Sequence, residues 1–314
     1  MEINFNDAQQ ALGFLTPQML RINTEVEKTA YPSFDYSRLM YVNTDGDMWD
    51  AGSVFYSGDI AGAAQWLSGK GHDMPYADIA TTQHLQANHF AGIGYSWFLQ
   101  ELQRASKTGR NLTSDKADAA RMVAESFVYG IAMRGSTEKG LTGLVNSADV
   151  PVANVAADGT GSSRLWSAKT SDLILRDVNA ALNAPFNATK ETQRANTLIL
   201  PSTKMQYIAE TRLGSTNDTT VLKFLRENNS YTLETGQPLT IIGSRELETA
   251  GDGGTTRMVA YDNSRGVVQM HLPGPHEFLP PFQKSAMEWE VAGIMNVGGV
   301  EFRRPKGAAY RDGF

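Results

Sequence analysis

Metal, acid–base or nucleophilic chemistry needs ligating or titrating side chains at matched spacing, and the five histidines are the first candidates: His72, His84, His89, His271 and His276. His84 and His89 stand five residues apart, as do His271 and His276. That spacing puts the rings on opposite faces of a strand and roughly 140° apart around a helix, so neither pair points at one metal ion. There is no H-E-x-x-H pattern and no cysteine. Disulfides, thiolate zinc sites, iron–sulfur clusters and cysteine nucleophiles are thereby excluded. Glu288 and Glu290 would share one face of a strand, and a carboxylate pair can do acid–base work. Arg303 and Arg304, beyond the Gly298-Gly299 turn, offer them a simpler use as a cross-strand ion pair. Gly159-Thr-Gly-Ser-Ser163 lacks the lysine of a phosphate loop and reads as a flexible loop. Gly251-Asp-Gly-Gly254 lacks the carboxylate ladder of a calcium loop and reads as a surface hairpin tip. No G-x-S-x-G elbow is present. No catalytic residue, cofactor or metal site is expected, and the chain does not read as an enzyme.

The bulk properties fit a globular protein with room for a large core. The 314 residues are 41% hydrophobic and 20% charged, with a net charge of −6. An acidic chain has no electrostatic drive toward nucleic acid, although it could enclose nucleic acid forced inside by another agent. Met1-Glu2-Ile3-Asn4-Phe5 does not resemble a signal peptide, and no apolar run of about 18 residues suggests a membrane span.

The elements follow from periodicity. Residues 1–36 read as an arm, with a helix start at Asp7 and Gln10, an apolar face of Ala8, Leu12 and Leu15, and a break at Tyr31-Pro32. Residues 37–83 read as strands and loops, rich in glycine and studded with Trp49, Phe55, Tyr56 and Trp66. Aromatics on such a weakly cored ribbon need a surface to bury them, either a groove of their own domain or a neighbour. Leu85 to Tyr95 reads extended, and Ser96 could cap a short helix carrying Phe98, Leu102 and Ala105. Thr113 is the expected cap of a long helix, Ser114 to Arg134, whose stripe is Ala120, Val123, Phe127 and Ile131. Residues 150–275 alternate helix and strand. Ser171 and Thr219 are expected caps, Thr197–Leu200 and Leu239–Ile242 buried strands, and Met258–Tyr261 with Val267–His271 a hairpin. Beyond His276, Met287, Trp289 and Val291 alternate with Glu288 and Glu290, a half-buried strand.

That order of elements, together with several short stretches, resembles the major capsid proteins of tailed bacteriophages, which share the Hong Kong ninety-seven type fold with encapsulin shells. The stretches are Asp59-Ile-Ala-Gly62, Asp73-Met-Pro-Tyr-Ala-Asp78, Gly94-Tyr-Ser96, Leu99-Gln-Glu-Leu102-Gln-Arg-Ala105, Gly109-Arg-Asn-Leu112, Lys116-Ala117, Ala119-Ala120 and Leu198-Ile-Leu-Pro201. The resemblance implies an α+β fold and a division of labour. Residues 1–36 would be an N-terminal arm clasping an adjacent subunit, and 37–83 an extended β-hairpin loop lying across a neighbour. Residues 84–150 and 275–314 would form a peripheral domain with a long spine helix, and 151–274 an axial domain meeting its copies at five-fold and six-fold axes. Trp49, Phe55, Tyr56, Trp66 and Lys70 would serve the loop interface, Ala120, Val123, Phe127 and Ile131 the spine-helix core, and Glu288, Trp289, Glu290 and Arg303 a peripheral strand. The implied function is an icosahedral or prolate shell of hexamers and pentamers around double-stranded DNA. The implied partners are further copies of the chain, a portal, decoration proteins and a separate scaffold, and the implied place is the virion, assembled in the host cytoplasm. Some relatives cross-link this loop through lysine and asparagine. Lys70 is the single lysine between residues 37 and 80, and an isolated surface lysine is ordinarily just solvated. Two rivals stay open at this stage. An encapsulin-like compartment would share the fold and hold a protein cargo, whereas an α/β hydrolase or binding protein would fold the ribbon on its own domain and show a ligand constellation.

Overall fold

A computed structural model describes residues 34–66, 74–107, 112–214 and 218–314. Residues 1–33 of the expected arm, including the helix start expected at Asp7, lie outside the described residues, as do Lys70 and His72. The first half of the chain gives β1 (Tyr41–Asn43), β2 (Gly52–Ala61), β3 (Asp78–Ala87), β4 (His89–Gly92), β5 (Tyr95–Phe98), α1 (Leu99–Lys107), α2 (Leu112–Arg134) and β6 (Val152–Asn154). There follow α3 (Ser171–Ala188), β7 (Thr197–Pro201), α4 (Ser202–Glu210), α5 (Val221–Glu227), α6 (Ser230–Thr235), β8 (Thr240–Ser244) and β9 (Arg257–Tyr261). The chain closes with β10 (Val268–His271), β11 (Gly274–Phe278), β12 (Phe282–Ser285), β13 (Glu288–Val291), β14 (Gly293–Val297), β15 (Gly299–Phe302) and β16 (Ala308–Asp312). By packing, residues 93–122 and 278–293 belong to one compact unit, and residues 34–92, 123–277 and 294–314 to another.

The larger unit holds the main core. Its five-stranded sheet runs β6-β16-β9-β7-β8. Strand β7 is buried at every residue, as an apolar run covered on both faces must be. It lies parallel to β8 and antiparallel to β9. Ile174, Val178 and Leu182 of α3 and Ile208 of α4 join Leu198 and Leu200 in one apolar cluster. Trp166 and Phe314 meet there at 4.5 Å. Asp312 accepts both forks of the buried Arg257 guanidinium, at 2.8 and 2.7 Å, and locks the last strand to β9.

Strands β9 and β10 do not form the expected hairpin. β9 pairs with β16 and β7, whereas β10 pairs with β1 and β15 in a separate sheet. Both strands are fully buried, so each takes a central place and the six residues between them cross from one sheet to the other. The same topology shows that Gly251–Gly254 is not a hairpin tip. It is a short turn between β8 and β9, which are separated in the sheet by β7. The expected caps shift by one residue: Thr170 precedes α3, and Thr220 precedes α5, its Oγ1 accepting from the Lys223 amide at 3.4 Å. Strand β4 pairs with β14, and β14 with β11.

In the smaller unit β12, β13 and β5 form an antiparallel sheet with Trp97 opposite Trp289. Ser96 is a strand residue rather than a cap, and α1 starts at Leu99, where the Glu101 carboxylate accepts from the Phe98 amide at 3.4 Å.

Helix α2 starts at Leu112, ahead of Thr113, and Gly135 ends it at a φ of +66°. A Cβ at Gly135 would come within 2.2 Å of the Leu141 carbonyl oxygen, so this turn accepts only glycine. The buried face of α2 runs through Ala120, Ala124, Val128 and Ile131. Val123 and Phe127 are 51% and 45% exposed and so do not belong to the core stripe expected of them. Spacing alone accepts either set, because Val123 and Phe127 flank Ala120 and Ile131 on one side of the helix wheel and Ala124 and Val128 flank them on the other. The small Ala120 and Ala124 mark the closely packed side.

Candidate assembly surface

Strands β2 and β3 form a ten-pair antiparallel ribbon, in register from Gly52 opposite Ala87 to Ala61 opposite Asp78 without a bulge. Directly paired residues of an antiparallel ladder point to the same face, and faces alternate along each strand. One face therefore carries Val54 with Leu85, Tyr56 with Gln83, and Ile60 with Ile79. The other carries Ser53 with Gln86, Phe55 with His84, and Ser57 with Thr82. The first face is apolar and open to solvent: Val54 is 46%, Tyr56 70%, Ile60 80%, Ile79 65% and Leu85 72% exposed. Beyond the strands Trp66, Met74 and Tyr76 are exposed as well.

The polar face is turned to its own unit. Ser53 Oγ lies 3.2 Å from His271 Nδ1 on β10, and the Gln86 side-chain amide donates to the Gly298 carbonyl. Phe55 stacks on His84 at 4.7 Å, under the Arg303 guanidinium at 5.0 Å. The root is closed by Asn88, whose amide donates to the Ala51 carbonyl at 3.0 Å, and by Asn296, whose side chain donates to the Met48 and Asp50 carbonyls. Chain approach is tight here, since a Cβ on Gly298 would sit 2.2 Å from Asn88 Oδ1 and 2.8 Å from His271 Cβ.

Beneath the root, His271 Nε2 lies 2.7 Å from Glu301 Oε2, with Gln269 Nε2 also 2.7 Å from that oxygen and Arg303 Nε at 3.3 Å. Desolvation pushes the Glu301 carboxyl upward. The hydrogen bonds from His271 and Gln269 and the charges of His271 and Arg303 outweigh it and hold the group below the usual carboxylate range.

The residues singled out from sequence separate on this geometry. Trp49, Tyr56 and Trp66 are exposed, and Trp49 rests its ring on Phe90 at 5.6 Å. Phe55 is half-buried against its own chain. The expected ion pair of Glu288 or Glu290 with Arg303 or Arg304 is absent. Glu290 pairs with Lys284 at 3.2 Å across β12 and β13, and Arg303 with Glu301, because β13 and β15 lie in different sheets. Trp289 is half-buried in the central strand of its sheet, and Glu288 and Glu290 are half-buried as well, so the alternation was not a burial pattern. Of the histidines, His84 lies on the ribbon and His271 is buried under it, each serving a hydrogen bond. Among the described residues no group of three or more histidine, aspartate or glutamate side chains could hold a metal ion, and no helix is long and apolar enough to cross a membrane. Sequence reasoning missed Val54, Ile60, Ile79 and Leu85. The signal was the period-two alternation in Val54-x-Tyr56 and Ile79-x-Thr81-x-Gln83-x-Leu85, masked by attention to the aromatics.

A family model described as major capsid protein matches residues 62–314. Among solved structures, the chain is similar to the capsid of Myoviridae phage XM1, at 16% identity and a TM-score of 0.77 over 96% of this chain and 98% of that one. It is similar to the capsid of a native GTA particle, at 11% identity and 0.66 over 98% and 99%. It is also similar to a chain of Mycobacterium phage Bobi, at 11% identity and 0.61 over 96% and 99%. At such identities the shared property is the α+β fold. No curated protein matches the chain.

Proposed function

This chain belongs to the major capsid protein family, whose role is structural rather than enzymatic, and from that premise we propose that its copies join as hexamers and pentamers by laying the apolar face of the β2–β3 hairpin on a neighbouring subunit. One observation carries the reading: five large apolar side chains line a single face of a ten-pair ribbon and face solvent, while the opposite face binds its own unit. A two-stranded ribbon is marginal alone, and a contiguous apolar face of this kind marks a protein contact. In a closed shell every subunit gives one hairpin and receives one, so a modest contact is multiplied by closure.

The remaining assignments follow the resemblance. Residues 1–36 would act as the arm, 84–150 with 275–314 as the peripheral domain, and 151–274 as the axial domain at the symmetry axes. Portal, scaffold and decoration proteins would be the other partners, with assembly in the host cytoplasm. A net charge of −6 suits DNA driven in by a motor and touched without sequence preference.

Excising 52–87 tests the reading. Ala51 and Asn88 are hydrogen-bonded neighbours, so a short glycine bridge can close the gap. The expected product is a folded subunit that forms no rings, tubes or shells by electron microscopy, where the intact chain does. Shells from the excised chain would overturn the proposal.

A further inference from the structure

The ribbon has two edges as well as two faces, and among the described residues no third strand joins either. An open ten-residue edge is a template for pairing, and proteins that must stay single blunt it with lysine, proline or a bulge. Strand β3, Asp78-Ile-Ala-Thr-Thr-Gln-His-Leu-Gln-Ala87, has no lysine, no proline and an unbroken register. Strand β2 is the poorer template, because Gly52 and Gly58 interrupt it.

The register shows which backbone groups of β3 are open. One step beyond the Gly52–Ala87 pair, the Asn88 amide donates to the Ala51 carbonyl, so the ladder extended to those two residues has a hydrogen-bonded position there. Such positions alternate with non-bonded ones along an antiparallel ladder. The amides of Thr82, His84 and Gln86 therefore face β2, and those of Ile79, Thr81, Gln83, Leu85 and Ala87 face outward. At the far end Asp78 Oδ1 accepts from the Ile79 amide at 2.8 Å, which caps that outward donor. The outward amides from Thr81 to Ala87 have no such cover.

We propose that the outer edge of β3 takes an extended segment of a second copy of this chain as a third strand. The occupant follows from two points. The subunits of a shell are surrounded by copies of themselves. The edge is also continuous with the apolar face, since Thr81, Gln83 and Leu85 carry their side chains on that face and their open amides beside it. The inference rests on the assembly reading above and adds backbone pairing to it.

Two substitutions at one residue provide the test. Thr81→Pro removes an outward donor and leaves the β2–β3 ladder whole, as edge prolines do. Thr81→Ala alters the side chain and keeps the donor. The threshold concentration for particle formation is expected to rise tenfold or more for Thr81→Pro and to stay within threefold of the unmodified chain for Thr81→Ala. Hydrogen exchange supplies the second readout: in particles of the unmodified chain the Gln83 and Leu85 amides should exchange at least tenfold more slowly than in free subunits. Normal assembly of Thr81→Pro, an equal defect in Thr81→Ala, or unchanged exchange of Gln83 and Leu85 would each overturn strand addition. If Thr81→Pro loses protection at Thr82 and His84, the hairpin itself has failed and the exchange measurement on the unmodified chain decides. Particles with unprotected outward amides sink this inference and leave the apolar-face docking standing, whereas a chain that never forms particles sinks both.

Discussion

Replacing Ile60 by alanine should separate shell assembly from subunit folding. The side chain loses three carbons, and burial stabilises by about 0.8 kcal/mol per carbon. Ile60 is 80% exposed in the subunit. Roughly four-fifths of that energy, about 2 kcal/mol, is thus available only when a neighbour covers it. The remainder, ~0.5 kcal/mol, belongs to folding, together with a few tenths from the cross-strand partner Ile79. Each subunit gives one hairpin, so the loss enters once per subunit, and about 2 kcal/mol corresponds to roughly thirtyfold in concentration. Sedimentation or light scattering against subunit concentration reads the threshold for particles, and a thermal melt of unassembled subunits reads the fold. The expected outcome is a threshold raised about thirtyfold with a melt lowered by a degree or two. A threshold within twofold of the unmodified chain would refute docking through this face. So would a melt that falls as steeply as assembly, because the residue would then be a folding contact.

Phe55→Ala should do the reverse, costing folding about 1 kcal/mol through the lost His84 and Arg303 ring contacts, while Trp49→Ala should spare the melt and weaken assembly; the same paired assays check both. Asp312→Ala leaves the Arg257 guanidinium buried without its counter-charge and should destabilise by about 3–5 kcal/mol in urea unfolding. Glu301 has a carboxyl held below the usual range when folded, so its contribution is present above the unfolded value of about 4.3 and is lost as pH falls through the lower folded value. Urea midpoints should therefore fall on acidification below about pH 4.3, less steeply in Glu301→Gln, and an equal slope in the two proteins would count against this role.

Much of the molecule was legible in the chain because local rules are strong there. The buried run Thr197–Leu200, the long helix ending at Gly135 and the alternation of helix and strand from 150 to 275 each follow from periodicity and from the backbone needs of one residue type. The glycine-rich aromatic ribbon was likewise visible as a segment without a core of its own. Strand partners were not. Val267–His271 looked like the mate of Met258–Tyr261 because they are sequence neighbours, yet β9 and β10 are buried in different sheets, and the pairing energy comes from residues far along the chain. The helix face of α2 was ambiguous for a related reason. Periodicity places an apolar stripe to within about one residue, and only packing shows that Ala124 and Val128 are inside while Val123 and Phe127 are out. The division of the ribbon into a face bound to its own unit and a face open to a neighbour likewise waited on the structure. Alternation makes two faces, but their orientation is set by Ser53, Gln86 and Phe55 meeting His271, Gly298 and Arg303, more than two hundred residues away.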